Sequence, residues 1–432
     1  MTSPDARAVP VDAVSAERLS AQGLTYRTID ASSDADTAAF LRADARGFLA
    51  PEPSDESIAF DRGMLSERRN IGVFESGADA APLPVATVNS WVTPLTVPGG
   101  ELDMWAISSV TVAGTHRRRG VARALLEGEL RAAASAGVPL AGLTVSEATI
   151  YGRYGFASAL PMARVTVHTR RAGWAGGAPA GRLEYIERSV LKENLAVLHE
   201  VARTQRAGEI PGWDGRWARF AGLSPASTAP AAVRGVRYLD EAGGVRGVMA
   251  YTLTEVDHSF RFELQVQHLT AVTPEALRAL WGFALQHDLV DRVSADLRPL
   301  DDPIVWLVAD RRGVEVVVHD HGWLRVLDVP TALGGRRYRA PLDVVFAVDD
   351  PLGFATGSWR LVVDPAGAAT ASAADGPADV VLDVAALSAL FLGGATATQL
   401  AAAGRLSATS AVAASLDDAF RTAEAPALSI WY

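Results

Sequence analysis

Along the first third of the chain, the spacing of hydrophobic positions alternates between a period of two and a period near 3.6. TYRTI, from Thr25, alternates and predicts a short strand, and AAFLRADARGFL then carries its apolar residues at helical spacing. IGVFES and LPVATVNSWVTPL read as two strands separated by Gly-Ala-Asp turn material, and AISSVTVAG reads as a third β-rich run. After Gly120 the period becomes helical, with Val121 stacking on Leu125 and Leu126 on Leu130 at i,i+4. That helix is expected to end near Gly137-Val138-Pro139, and LAGLTV returns as a strand. Strand, turn, helix, strand is a βαβ unit.

The pattern then repeats in outline. From Arg182 to about Asp320 it predicts a strand, a helix over LKENLAVLHEVARTQ, a hairpin over VRYLDEAGGVRGVMAYTL, and FELQVQHLTAVTPEALRALWGFALQHD as strand, connection and long helix. The order resembles that of the first segment and points to a diverged duplicate. A third segment begins near Trp323-Leu324-Arg325 and carries LDVVFAVDD, GSWRLVVD, ADVVLDVAALSALFLG, a helical SLDDAFRTA and the end ALSIWY. The expected division is residues 1–22 as a small, polar, mobile tail, then 23–174, 175–320 and 321–432, the first break falling where AGWAGGAPAG begins.

Composition narrows the chemistry. The 432 residues fit two to four domains, and 49% hydrophobic against 21% charged residues is the balance of a well-buried globular protein. With 40 basic and 50 acidic residues the net charge is −10, which argues against nucleic acid as a partner and is compatible with a cationic small molecule or a lysine-bearing protein. The chain has no cysteine, so disulfides, thiolate nucleophiles and cysteine metal sites are excluded, and no metal is expected. No run of about 18 apolar residues marks a membrane span, and MTSPDARAVP lacks a signal-peptide core. The expected location is the cytoplasm, with secretion left open.

THRRRGVARALL, Thr115–Leu126, carries the most specific signal. Val110-Thr111-Val112 reads as the end of a strand, and the helix begins after Gly120. A turn between the two presents free main-chain N–H groups, and the helix dipole adds positive potential there. A pyrophosphate fits such a place, Gly120 permits close approach, and the arginines can hold outer phosphate oxygens. The competing reading is a solvated arginine run, which sits awkwardly at a helix N-terminus unless an anion is bound. A nucleic-acid contact conflicts with the acidic balance and lacks interleaved aromatic residues.

Arg-x-x-Gly-x-Ala after a Val-x-Val strand resembles the acyl-CoA pyrophosphate loop of the GNAT superfamily of N-acetyltransferases. SEATIYGRYGF adds a tyrosine, Tyr151, four residues before the pair Gly155-Phe156, which is the GNAT spacing. With the three-part layout, the whole chain after its N-terminal tail looks like the Eis (enhanced intracellular survival) acetyltransferases. The resemblance implies an α+β fold: tandem GNAT domains, the first catalytic and the second degenerate, followed by a sterol-carrier-protein-like α/β domain. In the second domain the matching segment, Leu269 to Glu275, has no glycine turn and no arginine, and Glu275 stands where a phosphate would sit.

The same resemblance assigns residues. Acetyl-CoA, the cosubstrate, would contact Val110, Thr111 and Val112, then Arg118, Arg119, Gly120, Val121, Ala122 and Arg123, and further on Ser146 and Glu147. A main-chain N–H near Val112 would polarise the acyl carbonyl. Tyr151 becomes the general acid, with Tyr154 left to core packing. The general base becomes the terminal carboxylate of Tyr432. From the residues alone LSIWY reads as a tail packed on the surface; only the resemblance gives it a role. Trp431 departs from the acidic residue common there in the family. His116 and His168 are isolated and read as structural. Implied acceptors are aminoglycosides, often at several amines, or protein lysines, and the implied assembly is a homo-hexamer. Glu52, Asp55 and Glu56 in DARGFLAPEPSDES are a candidate acceptor rim, or an ordinary solvated loop. The alternative of another class is a non-catalytic apolar-ligand carrier built on the third domain.

Overall fold

The alternating stretches of the N-terminal third form strands β1 (Leu24–Thr28), β2 (Arg69–Glu75), β3 (Ala86–Val97), β4 (Gly100–Val112) and β5 (Leu140–Thr144). The strands β1 to β4 pair antiparallel in chain order, and β5 joins β4 in parallel. The computed structural model describes residues 3–77, 83–227, 229–257 and 259–432. Its helices in this part are α1 (Ala13–Ser20), α2 (Asp34–Gly47), α3 (Asp55–Ser66), α4 (Val121–Ser135) and α5 (Ala148–Tyr151). The chain divides into two units: residues 1–159, 322–423 and Tyr432 form unit 1, and residues 160–321 and 424–431 form unit 2.

The crossover from β4 to β5 is α4, as a parallel pair requires. Its apolar face is the expected one: Val121, Leu125, Leu126 and Leu130 are all buried. Glu129 lies on the buried side as well, where it accepts hydrogen bonds from Arg69 Nε, Ser90 Oγ and Trp105 Nε1. The carboxylate is fully buried but fully engaged, so its desolvation is offset locally.

The N-terminal segment, expected as a tail, carries α1 and packs against α4. Asp12 caps α1, Ser15 Oγ donates to the Ala124 carbonyl of α4 at 2.7 Å, Arg131 pairs with Asp12 at 2.8 Å, and Leu19 is fully buried. Beside these bonds, Ala6 and Leu19 enter the core of this unit, with Val9, Val11 and Ala16 packed against it.

In unit 2 the chain continues through β6 (Ala157–His168), α6 (Thr169–Ala172), β7 (Arg182–Ile186), α7 (Arg188–Arg203), α8 (Asp214–Phe220), β8 (Arg234–Leu239), β9 (Val245–Val256), β10 (Arg261–Ala271), α9 (Pro274–Leu285) and β11 (Val290–Arg298). The strands β7 to β10 form an antiparallel meander and β11 joins β10 in parallel across α9. This is the order of the first segment again. Because β6 pairs antiparallel with β11, the chain passes into unit 2 at residue 160, ahead of the break expected at Trp174.

The strand β12 (Val314–Val326) returns to unit 1, where Gly322–Val326 pair antiparallel with β5. Beyond it come α10 (Val329–Gly334), β13 (Leu342–Asp349), β14 (Gly357–Val363), β15 (Ala369–Ala373), β16 (Val380–Asp383), α11 (Val384–Leu390), α12 (Ala397–Ala402), β17 (Leu406–Ser407) and α13 (Ser410–Phe420). Their sheet runs β15-β14-β13-β16-β17, and every residue of α11 is buried. Arg325 of β12 forms a fully buried pair with Asp350, its Nη2 donating to both carboxylate oxygens at 2.7 and 2.6 Å, and its Nε donates to the Tyr154 carbonyl at 3.2 Å. Asp350→Ala leaves that guanidinium without its counter-charge and is expected to cost about 3–5 kcal/mol, read as an unfolding transition moved to lower temperature by calorimetry. Among the described residues no helix is long and apolar enough to cross a membrane.

Candidate active site

The parallel pairing of β4 and β5 is short. It covers Met104↔Leu140, Trp105↔Ala141 and Ala106↔Gly142, and stops. On its other side β4 stays paired with β3 as far as Val112↔Ala86. From Ile107 to Val112, β4 therefore presents main-chain donors and acceptors toward the gap left by β5, and such groups call for a partner. A bulge reinforces the opening. The β3–β4 register shifts between Thr87 and Asn89, Ser109 takes a positive φ of 53°, and Thr87 Oγ1 donates to the Ser109 carbonyl at 2.8 Å. Bulges bend a strand and re-aim its groups. Val110 and Val112 are half-buried along this opening, and Thr111, buried, shares a 2.6 Å hydrogen bond with Thr87 Oγ1.

Beyond β4 the chain turns through the arginines into α4. Gly120 is the N-cap residue, at φ 75° and ψ 10°, and no side chain caps the helix. Arg118 also lies in the left-handed region, at φ 62°, and Arg117 to Gly120 are exposed. Arg119 Nη2 donates to the Gln22 carbonyl at 3.2 Å, and Arg123 Nε reaches Glu127 one turn along. The first N–H groups of α4, at Val121, Ala122 and Arg123, thus lack a side-chain acceptor while cations surround them, which is the arrangement an anion stabilises. The corresponding turn in unit 2 is built differently. Thr273 caps α9 through Ala276 N, Pro274 opens the helix without a donor, and Glu275 accepts from Ala180 N at 2.8 Å.

A charge-assisted bond to a phosphate contributes about 1.5–3 kcal/mol. Arg118→Glu is expected to raise the acetyl-CoA KM by about tenfold to a hundredfold with an unchanged thermal transition, checked by steady-state kinetics and calorimetry.

Downstream, Ser146 and Glu147 are exposed ahead of α5, and Glu147 accepts from Thr149 Oγ1 at 2.7 Å. Tyr151 closes α5 and is buried, edge-on to Phe156 at 6.3 Å. Burial pushes its phenol above the usual value, and the charge of Glu147 adds to this, so the hydroxyl keeps its proton. Tyr154 is buried and raised for the same first reason. His116 is buried with Nδ1 2.9 Å from Thr115 Oγ1, and His168 Nε2 lies 3.2 Å from Glu315. Asp55 and Glu56 occupy the first turn of α3 behind the cap Ser54, and Glu52 and Asp55 lie 3.1 and 3.5 Å from Arg42.

The end of the chain is not a surface tail. Within unit 2, Ala427 N donates to the Ala207 carbonyl at 2.9 Å, and buried Glu209 accepts from Ser429 N and Oγ at 3.1 Å. His321, pushed down to about 4 by burial, is neutral at pH 7 and pairs through Nε2 with the Ile430 carbonyl at 3.0 Å. Arg216 donates to the Trp431 carbonyl, and Trp431 stands edge-on to His321 at 4.5 Å. Ala427, Leu428 and Ile430 are buried. Tyr432 is placed in unit 1, where its main-chain oxygen accepts from Thr144 Oγ1 at 2.5 Å and its ring stands edge-on to Trp91 at 5.5 Å. Thr144 and Trp91 were not among the residues singled out from sequence; nothing marks them there but their place in strands.

Comparison with known proteins decides the family. Over 413 residues the chain is 35% identical to an uncharacterized N-acetyltransferase of Streptomyces avermitilis, spanning 91% of this chain and 96% of that one. Over 322 residues it is 32% identical to the N-acetyltransferase Eis of Mycobacterium tuberculosis, spanning 72% and 76%. The chain belongs to the Eis family of GNAT N-acetyltransferases. The crystal structure of Eis1 from Mycobacterium abscessus superposes with a TM-score of 0.79 at 29% identity, covering 95% of this chain and all of that one. Acetyltransferase (GNAT) domain models match residues 28–159 and 212–326, and a sterol carrier protein domain model matches 329–429. This Eis-family chain is an acyltransferase, and GNAT acetyltransferases draw their acetyl group from acetyl-CoA.

Proposed function

We propose that this Eis-family enzyme transfers the acetyl group of acetyl-CoA to primary amines of aminoglycosides, at more than one amine per molecule, by direct attack. The observation that carries the mechanism is the 2.5 Å hydrogen bond between Thr144, on the strand that leaves β4, and the main-chain oxygen of Tyr432. Through it the last residue of the sequence stands on one wall of the opening between β4 and β5.

In this reading the uncapped start of α4, with Arg118 to Arg123, holds the pyrophosphate, and Val110, Thr111 and Val112 line the acyl arm, with Ser146 and Glu147 at its outer edge. A main-chain N–H of β4 near Val112 polarises the thioester carbonyl. The amine nitrogen bonds to the carbonyl carbon and loses a proton to the α-carboxylate of Tyr432, directly or through a water. The C–S bond then breaks, and the Tyr151 hydroxyl gives its proton to the departing sulfur. A free α-carboxyl has a pKa of roughly 3.3–3.7, too low to deprotonate a free ammonium ion. It suffices for the far more acidic N–H of the addition intermediate, whose positive charge it also balances. No covalent enzyme intermediate is needed, and the chain has no cysteine to form one. The self-capped start of α9, with Glu275 in its first turn, supports a second GNAT domain that does not take CoA.

Protein lysine is the competing acceptor, and one assay separates the two. Thiol release from acetyl-CoA is followed with an aminoglycoside or with a lysine peptide, and products are weighed by mass spectrometry. Aminoglycoside products carrying two or more acetyl groups are expected. Turnover with the peptide alone replaces the acceptor, and uptake of a fluorescent lipid without thiol release replaces the function.

A further inference from the structure

Three strands place their side chains in one row at the last paired position before β4 and β5 part. Trp91 of β3 is the partner of Ala106, and Ala106 is the partner of Gly142. Directly opposed residues share a face, so the row reads large, small, absent. Thr144 lies two residues beyond Gly142 and therefore on the same face of β5. Trp105, by contrast, points to the other face and bonds Glu129 of α4.

The vacancy in this row is occupied. A Cβ at residue 142 would fall 2.3 Å from Met104 Sδ and 2.9 Å from the Tyr432 hydroxyl oxygen. The Tyr432 ring thus lies over Gly142, with Trp91 edge-on at its side. Trp91 is itself backed by Arg68, whose guanidinium stacks 3.6 Å from the indole centroid. At the far end Thr144 holds the main chain twice. Its hydroxyl donates to the Tyr432 main-chain oxygen at 2.5 Å and faces the Tyr432 N–H at 3.4 Å. A hydroxyl can serve as donor and acceptor at once, so one side chain fixes both the height and the rotation of the terminal residue.

We infer that Trp91, Ala106, Gly142 and Thr144 form a socket for the terminal tyrosine, and that Thr144 is the positioning residue that aims its α-carboxylate at the acceptor amine. The small residues admit the ring, the indole limits its swing, and the threonine sets the carboxylate. The inference rests on the reading that the Tyr432 α-carboxylate is the general base, and it adds how that group is held. In this assignment Thr144 acts through Tyr432.

The test combines Thr144→Val, Thr144→Ser and deletion of Tyr432, each in the full chain. Valine keeps the shape and loses the hydroxyl; serine keeps the hydroxyl. A lost bond to a charged group lowers kcat by about tenfold to a hundredfold, while the acetyl-CoA KM stays within about twofold because the pyrophosphate turn is untouched. Thr144→Ser is expected near the wild-type rate. In the Tyr432-deleted background Thr144→Val is expected to add no further loss, since residues that act as a unit are not additive. Where the valine variant does not fold, Thr144→Ala is measured in its place. If deletion slows turnover but Thr144→Val does not, or if Thr144→Val costs as much with Tyr432 absent, the positioning role is wrong and the base assignment stands. If deletion leaves turnover untouched, the base assignment falls and the socket's catalytic role falls with it.

Discussion

Blocking the α-carboxylate of Tyr432 is expected to lower the rate of acetyl transfer by about a hundredfold to ten-thousandfold, the range for loss of a positioned general base. Two preparations separate the causes. Amidation removes the charge and leaves the aromatic ring over Gly142, where its hydroxyl oxygen lies 2.9 Å from the position of an added Cβ. A short Gly-Ser extension keeps a carboxylate but carries it away from Thr144 Oγ1. Both are expected to lose kcat, and neither should move the acetyl-CoA KM by more than about twofold, since the proposed cofactor turn at the start of α4 is left unchanged. Thiol release measures both constants, and calorimetry checks that the fold survives. A tagged chain that turns over at the untagged rate would remove the terminal carboxylate from the mechanism.

Tyr151→Phe is expected to lower kcat by about a hundredfold, at the lower end for loss of a general acid. The lower end applies because a thiol of pKa about 8.5 is already a fair leaving group. Phenylalanine keeps the edge contact with Phe156, so acetyl-CoA affinity and stability should change little. The pH profile adds a second reading. Burial raises the Tyr151 phenol above its ordinary value near 10, so the acid form persists and this group imposes no loss of rate below about pH 10. Tyr154→Phe serves as the control, expected within about twofold of the wild-type rate. A Tyr154 variant that is slower than the Tyr151 variant would transfer the acid role to Tyr154.

Much of this site is readable from the residues, because its core is one continuous βαβ segment. The period change at Gly120 marks the start of α4, and the buried Val121, Leu125, Leu126 and Leu130 follow the i,i+4 pattern. The interval from Tyr151 to Gly155-Phe156 is likewise local. What local pattern does not carry is register. That β4 and β5 part after Ala106↔Gly142, and that β4 bulges at Ser109, depend on partners chosen across the sheet.

The same reason applies where the chain passes between its two units, at residue 160. The strand β6 looks like a continuation of the first domain until its partner, β11, is known. Short segments fail for a different reason. Residues 3–22 and 424–432 carry apolar positions without a sustained period, and each is fixed by specific bonds, such as Ser15 to Ala124 and Ser429 to Glu209. Thr144 and Gly142 illustrate the limit most clearly. In LAGLTV they are unremarkable strand residues, and only the chain end, hundreds of residues away, gives them a task.

The most direct test of the central claim is a crystal structure of the full chain with coenzyme A. Coenzyme A is expected with its pyrophosphate within hydrogen-bond distance of the N–H groups of Val121, Ala122 and Arg123, and its sulfur end in the opening between β4 and β5. It also leaves α9 unoccupied, since Thr273 already caps that helix. Coenzyme A bound at the start of α9, or anywhere that leaves the start of α4 empty, would contradict it.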